Sequence, residues 1–336
     1  MKDPFPFKPP SFLVHAIQPW AEFFSLPTLP LHIHEVLFAC LLYTFIYWPI
    51  SPFISRCLVG ERYDKLPRKR RVNWDAHVVS LVQSTLINAL ALWIMFVDSE
   101  RNKMDWQARI WGYTGALGMI QALAAGYFLW DLVVTSCNMD VFGPGTLAHA
   151  VSALLVYSFG FRPFVNYYAP TFILWELSTP FLNIHWFLDK LALTGSRAQL
   201  YNGLVLIATF FSCRLVYGTY QSCMVLGDIW AALSTGPAMA PDGVGVSQIG
   251  YNVDTMGFAK GTTEIPCWLA LSYLISNLIL NSLNFYWFVM MIRAVRKRFQ
   301  PPQPSGTETK IRGPVDAHTE AKPAAAVEGR LRRRKA

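Results

Sequence analysis

The chain has 336 residues, of which 53% are hydrophobic and 15% charged, and it carries a net charge of +8. Its mean hydropathy is +0.29. A soluble domain carries roughly 25% charged residues, so this composition excludes an ordinary soluble fold and points to a membrane-spanning chain. The positive charge does not mark a nucleic-acid binder. The basic residues crowd one loop and the C-terminal tail and leave the apolar runs clear, a pattern of membrane topology and anionic lipid.

Residues 1–33, with Pro and aromatics interleaved, read as a loose or interfacial segment and lack the continuous apolar region of a cleaved signal peptide. A first span is predicted over 34–54, bent near its end by Pro49 and Pro52. The loop at 56–75 then sets seven basic residues against three acidic ones. Second and third spans follow over 76–97 and 110–137. Gly143, Pro144 and Gly145 mark a turn, and a short fourth span covers 146–161. A fifth runs over 165–188 with Pro170 and Pro180 inside it, tolerated in membrane helices as kinks or local openings. A sixth covers 200–233. A Gly- and Pro-rich acidic segment separates it from a seventh over 265–292. The tail beyond, 300–336, is polar and basic and reads as disordered.

The predicted fold is therefore all-α and integral to the membrane, with about seven transmembrane helices. The positive-inside rule places the N-terminus in the lumen and the C-terminus in the cytoplasm. Six scattered cysteines show no CxxC and no ligand spacing, so neither a disulfide framework nor a metal site is expected.

Several spans carry polar residues whose burial in hydrocarbon is costly unless they are paired or face water. Asp131 and His149 fall at similar depth, near the cytoplasmic ends of spans three and four. Glu176 and Arg214 fall near the midplane, about 18 and 21 Å in at ~1.5 Å per helical residue, so an ion pair between them is expected. Glu176, Thr179 and Asn183 follow helical spacing on one span, and Arg214, Tyr217 and Gln221 on the next. Asn277, Asn281 and Asn284 form a third stripe. Facing one another, the stripes line a polar channel or substrate slot; the alternative is interhelical hydrogen bonding and nothing more. His77 is expected to cap span two and His185 to lie at the interface.

The strings GYFLWDL (126–132), LAHAVSALL around His149, and WELSTPFLN (175–183) resemble the TLC family. That family is named for translocating-chain-associating membrane proteins, ceramide synthases and a lysosomal-storage-disease protein. The likeness covers roughly residues 71–299 and is strongest to the uncharacterised TLC-domain-containing branch. It implies six of the helices bundled around a central cavity that handles lipid acyl chains, in endoplasmic reticulum or Golgi membranes. It implies membrane lipids as partners, sphingolipid chemistry among them, with no bound cofactor and acyl-CoA as co-substrate. The ceramide-synthase signature has two adjacent histidines and, downstream, two aspartates. Here Ala148 stands at the first histidine, and Glu176 and Thr179 stand near the aspartate positions.

Acyl transfer needs a base for the attacking hydroxyl or amine. His149 oriented by Asp131 supplies such a dyad, and the basic loop at 56–75 attracts CoA phosphates. The competing class is a non-catalytic lipid-binding regulator or a cargo or translocation accessory. A seven-span receptor is disfavoured: no Asp/Glu-Arg-Tyr string ends span three, no Asn-Pro-x-x-Tyr lies in span seven, and span seven contains no lysine.

Overall fold

The computed structural model describes residues 1–235, 255–257 and 265–299. Most of the Gly- and Pro-rich segment, and all of the tail expected to be disordered, lie outside the described residues. Helix α1 (Ser11–Phe23) opens the chain. Next come α2 (Leu29–Val59), α3 (Arg68–Val97), α4 (Gly115–Cys137), α5 (Met139–Phe159), α6 (Thr179–Lys190), α7 (Arg197–Thr235) and α8 (Cys267–Phe299). Among the described residues six helices, all of these but α1 and α6, are long and apolar enough to cross a membrane. A two-stranded antiparallel ribbon joins β1 (Gly112–Thr114) to β2 (Thr255–Gly257), with Tyr113 opposite Met256.

Six continuous spans replace the expected seven. The region 165–188 is not one helix. A 3₁₀ turn over Asn166–Tyr168 leads into a short helix, Ala169–Ile173, then a second 3₁₀ stretch, Leu174–Ser178, and finally α6. The reason lies in the prolines. Pro170 and Pro180 lack the N–H that an interior helical position must donate, so each opens a new helical piece. The broken segment still runs the length of the bundle. At one end the Val165 N–H donates to the Ile110 carbonyl at 2.7 Å. At the other, Trp186 and Phe187 pack on Trp74, with ring centroids 5.7 and 5.0 Å apart.

Other boundaries shift for local reasons. The first span starts at Leu29, and Pro49 is absorbed in a π-helical stretch, Ile46–Ile50, so that the helix continues to Val59. The fourth starts at Met139, and Gly143 breaks it with φ 75°, a conformation only glycine adopts without strain. Residues 1–33, expected loose, hold α1 and dock on the bundle: the Thr28 N–H and hydroxyl both donate to the Phe161 carbonyl, at 3.1 and 2.9 Å.

Small residues explain why α4 is the central helix. Its sequence GALGMIQALAAG is almost entirely buried, and Gly126 lets the Val36 backbone and Ala39 of α2 close against it, as close packing between membrane helices requires. Ile120, Phe128 and their neighbours join Val36, Ala39, Tyr43, Ile87, Ala153 and Tyr157 in one core. A second core gathers Phe164, Tyr168, Phe172 and Trp175 with Val225, Ile229, Leu269 and Tyr273. Outward, Phe45, Trp48, Phe96, Val133, Trp230 and Leu271 are exposed, a belt suited to lipid.

The two ends of the bundle differ in charge. At one, Arg68 donates to Asn138 at 2.9 Å and Lys69 lies 3.2 Å from Asp140, tying the first turn of α3, where the sequence suggested loop, to the stretch before Gly143. At the other, Arg109 holds Asp228 through two bonds of 2.7 and 2.8 Å, and the Tyr168 hydroxyl donates to the same carboxylate. That anion raises the Arg109 guanidinium above its ordinary value.

Candidate functional site

Two irregular stretches face each other in the middle of the bundle. One is the 3₁₀ segment Leu174–Ser178, which carries Glu176. The other is a π-helical stretch inside α7, Phe210–Tyr217, which carries Arg214. Departures from α-geometry of this kind aim side chains that a regular helix would direct elsewhere. Arg214 Nη2 lies 3.4 Å from Glu176 Oε1. The guanidinium also donates to Thr179 Oγ1 at 2.9 Å, Ser178 Oγ at 3.1 Å and Asn284 Oδ1 of α8 at 3.0 Å. Thr179 in turn donates to Glu176 Oε2 at 2.7 Å. Arg214 and Glu176 are 5% and 8% exposed, so the pair is largely shut off from lipid and bulk water. Each charge has the multiple partners that a buried ion requires.

His149, on α5, stands next to this pair. Its ring meets Phe128 and Trp287 edge-on, at 5.9 and 5.6 Å. The charged groups within electrostatic reach of it are Glu176 and Arg214. His149 and Glu176 line a common, partly open pocket of about 30 Å³, shared with Phe128, Trp175, Tyr273 and Asn277. That is room for one or two water molecules.

The expected His149–Asp131 dyad does not form. Among the described residues no hydrogen bond joins the two. Asp131 instead accepts weakly from Thr135 on its own helix, at 3.5 Å, and lies within electrostatic reach of Tyr127 and Glu176. Similar depth did not guarantee a shared face. The carboxylate beside His149 belongs to Glu176.

The polar stripes separate into distinct groups. Asn183 turns away from Glu176 toward α3, where its Oδ1 accepts from His77 Nδ1 at 2.6 Å and its amide nitrogen donates to Ser80 Oγ at 3.0 Å. His77 is buried and stacked on Trp186 at 4.1 Å, not a simple cap. Asn284 serves Arg214, whereas Asn277 and Asn281 both donate to Ser222, at 3.2 and 3.0 Å. Tyr217 stands with Gln221, Thr171 and Arg101, a step away from the pair. Of the expected residues, His149, Glu176, Thr179, Arg214 and Asn277 therefore meet at one place. Asp131 sits at its margin, and Asn183, Tyr217, Gln221 and Asn281 belong to neighbouring contacts.

Chemically, the arrangement offers an imidazole and a carboxylate on one small pocket, with a guanidinium fixed behind the carboxylate. A base so placed can accept a proton from a hydroxyl or amine brought into that space.

The family pattern described as the TLC domain matches residues 73–293, which takes in the whole site and leaves α2 ahead of it. An uncharacterized TLC domain-containing protein of Schizosaccharomyces pombe is 38% identical over 290 residues, covering 86% of this chain and 87% of that protein. Topoisomerase I damage affected protein 4 of Saccharomyces cerevisiae is 24% identical over 277 residues, 80% of this chain and 86% of its own. Human TLC domain-containing protein 4 is 29% identical over 181 residues, 53% of this chain and 65% of its own. No solved structure matches.

Proposed function

The chain belongs to the TLC domain family, and on that footing we propose that it acts in membrane lipid homeostasis, transferring an acyl group from acyl-CoA to a lipid acceptor at the His149–Glu176 site. One observation supports this reading above the others: His149 and Glu176, from different helical segments, line the same small pocket inside an apolar bundle. His149 takes the proton as the acceptor hydroxyl or amine attacks the thioester carbonyl. The C–S bond breaks, the new ester or amide forms, and CoA leaves as the thiol with that proton. Glu176, held by Thr179 and Arg214, orients the imidazole and offsets its charge.

An acyl chain needs far more room than 30 Å³. The central cavity belongs to the loaded state, in which the side chains lining the pocket move apart. Acyl-CoA approaches from the cytoplasmic face, where the basic loop at 56–75 lies beside the active helices and draws the phosphates in. This orientation puts the N-terminus in the lumen and the C-terminus in the cytoplasm of the endoplasmic reticulum or Golgi.

The full set of hydrogen bonds on Arg214 favours one second reading. Here the pair is a structural clasp, and the protein is a non-catalytic lipid-binding regulator or a cargo or translocation accessory. Lipidomes of cells carrying wild-type protein, no protein, or His149→Ala at matched level and localisation separate the two. Under acyl transfer, His149→Ala reproduces the lipid profile of the null. A variant profile equal to wild type would remove the enzymatic reading and leave the accessory one.

A further inference from the structure

A second cluster of donor side chains lies at the end of the bundle opposite the basic loop, apart from the site above. His32 and Glu35, one turn apart on α2, share a face. His32 Nδ1 lies 3.0 Å from each Glu35 oxygen and 3.5 Å from Asp3 Oδ2. One ligand atom from each of the three falls within 4.8 Å of the others. His34 lies alongside, its Nε2 donating to the Phe7 carbonyl at 2.8 Å and standing 3.7 Å from Glu35 Oε1. Its side chain is 8% exposed, and its buried Nδ1 has no partner among the described residues.

The place is built, not incidental. Gly115 and Gly118, three residues apart on α4, leave the space that the Asp3 backbone and the His32 imidazole occupy; a Cβ on either would overlap them. The Tyr113 hydroxyl, on β1, bonds the second nitrogen of His32. That is the outer-shell arrangement that fixes the tautomer and ring angle of a ligating histidine. His32 and Glu35 are fully buried, and among the described residues no lysine or arginine lies within ion-pair distance of Asp3 or Glu35. Two neighbouring carboxylates without a fixed cation are the charge pattern that a bound cation satisfies.

We propose that Asp3, His32 and Glu35 bind one divalent transition cation, with His34 as a neighbouring donor and Tyr113 holding His32 in place. Ligand atoms about 2.1 Å from a tetrahedral zinc stand roughly 3.4 Å apart. The 3.5 Å between His32 and Asp3 matches that edge and is long for a direct hydrogen bond. An imidazole among carboxylates suits zinc-like cations over magnesium or calcium, which prefer all-oxygen shells. Because Asp3 precedes α1 while His32 and Glu35 begin α2, the ion staples the N-terminal segment to the bundle.

The test uses the full-length chain without a histidine tag, purified in detergent and stripped with chelator. Zn²⁺ titration followed by elemental analysis is expected to give about one ion per chain, with no comparable uptake of Mg²⁺. Asp3→Asn weakens Zn²⁺ binding at least ~10-fold, and Tyr113→Phe by about 10-fold, the scale of an outer-shell loss. Asp3 is 30% exposed and lies outside the helices, so its variant reports on binding even where Glu35→Gln disturbs folding. Less than one Zn²⁺ per wild-type chain, or wild-type affinity in Asp3→Asn, overturns the proposal.

Discussion

Removing both partners of the Glu176–Arg214 pair should damage the protein no more than removing one. The guanidinium is 5% exposed and makes bonds to Glu176, Thr179, Ser178 and Asn284. Glu176→Gln keeps the shape but leaves Arg214 a buried cation with only neutral partners. Arg214→Met leaves Glu176 a buried anion with Thr179 as its remaining donor. Breaking a buried pair from one side costs about 3–5 kcal/mol. The double variant leaves neither charge stranded, so its loss should be near that of one single variant instead of the sum, a coupling as large as the other single loss, about 3–5 kcal/mol. At roughly 2–4 °C per kcal/mol, each single change lowers the midpoint of thermal unfolding in detergent by about 10 °C. The double variant falls by no more than the worse single one. Losses that simply add would refute the claim that these two charges are held by each other.

Two further outcomes follow from local geometry. Gly218 packs against the Trp175 indole, so a Cβ there overlaps it, whereas Gly227 on the same helix has open space around it. Gly218→Ala should cost about 1–3 kcal/mol, while Gly227→Ala should be neutral or stabilising by up to ~1 kcal/mol; equal effects on the unfolding midpoint would contradict the packing. Asp98 is buried at the end of α3, and burial alone would raise its carboxyl. Bonds from Thr114 at 2.7 Å, from the Met1 amine and from the Arg101 N–H overrule burial and hold it below the ordinary value. A lowered carboxyl contributes stability above the ordinary pKa of about 3.9 and loses it as pH falls through the lowered value. Hydrogen-exchange protection of residues 98–114, corrected for intrinsic rates, should therefore hold from pH 7 to 5 and fail only below about pH 4. Loss of protection at pH 6 would show that those donors do not hold the carboxylate.

The legible part of this molecule was its apolar architecture. Five of the seven predicted spans, and the core of a sixth, are long runs whose helical state is forced once no water can satisfy the backbone. The Glu176–Arg214 contact was also within reach, because depth along two neighbouring spans is nearly linear in residue number. The segment around Glu176 was not. The expected stripe Glu176–Thr179–Asn183 assumed one α-helix, but a 3₁₀ stretch turns about 20° more per residue. By Asn183 the face has rotated toward His77 and Ser80. The His149–Asp131 pairing failed for a related reason: depth fixes height, not azimuth. His149 instead lines a pocket shared with Glu176. The Asp3–His32–Glu35 cluster is hidden in the sequence because Asp3 is distant from the other two and the predicted start of the first span, residue 34, divides the string LHIHE. The density of imidazole and carboxylate in that string was the available signal.

The measurement that bears most directly on the central claim follows isotope-labelled acyl-CoA into extracted lipids, using membranes that contain wild-type protein or His149→Ala at equal abundance. A positioned base contributes about 10²–10⁴-fold. The account predicts incorporation by wild-type membranes above the protein-free background and a fall of at least ~100-fold in the protein-dependent part with His149→Ala. Incorporation that is the same in both membranes, or no greater than in membranes lacking the protein, would contradict it.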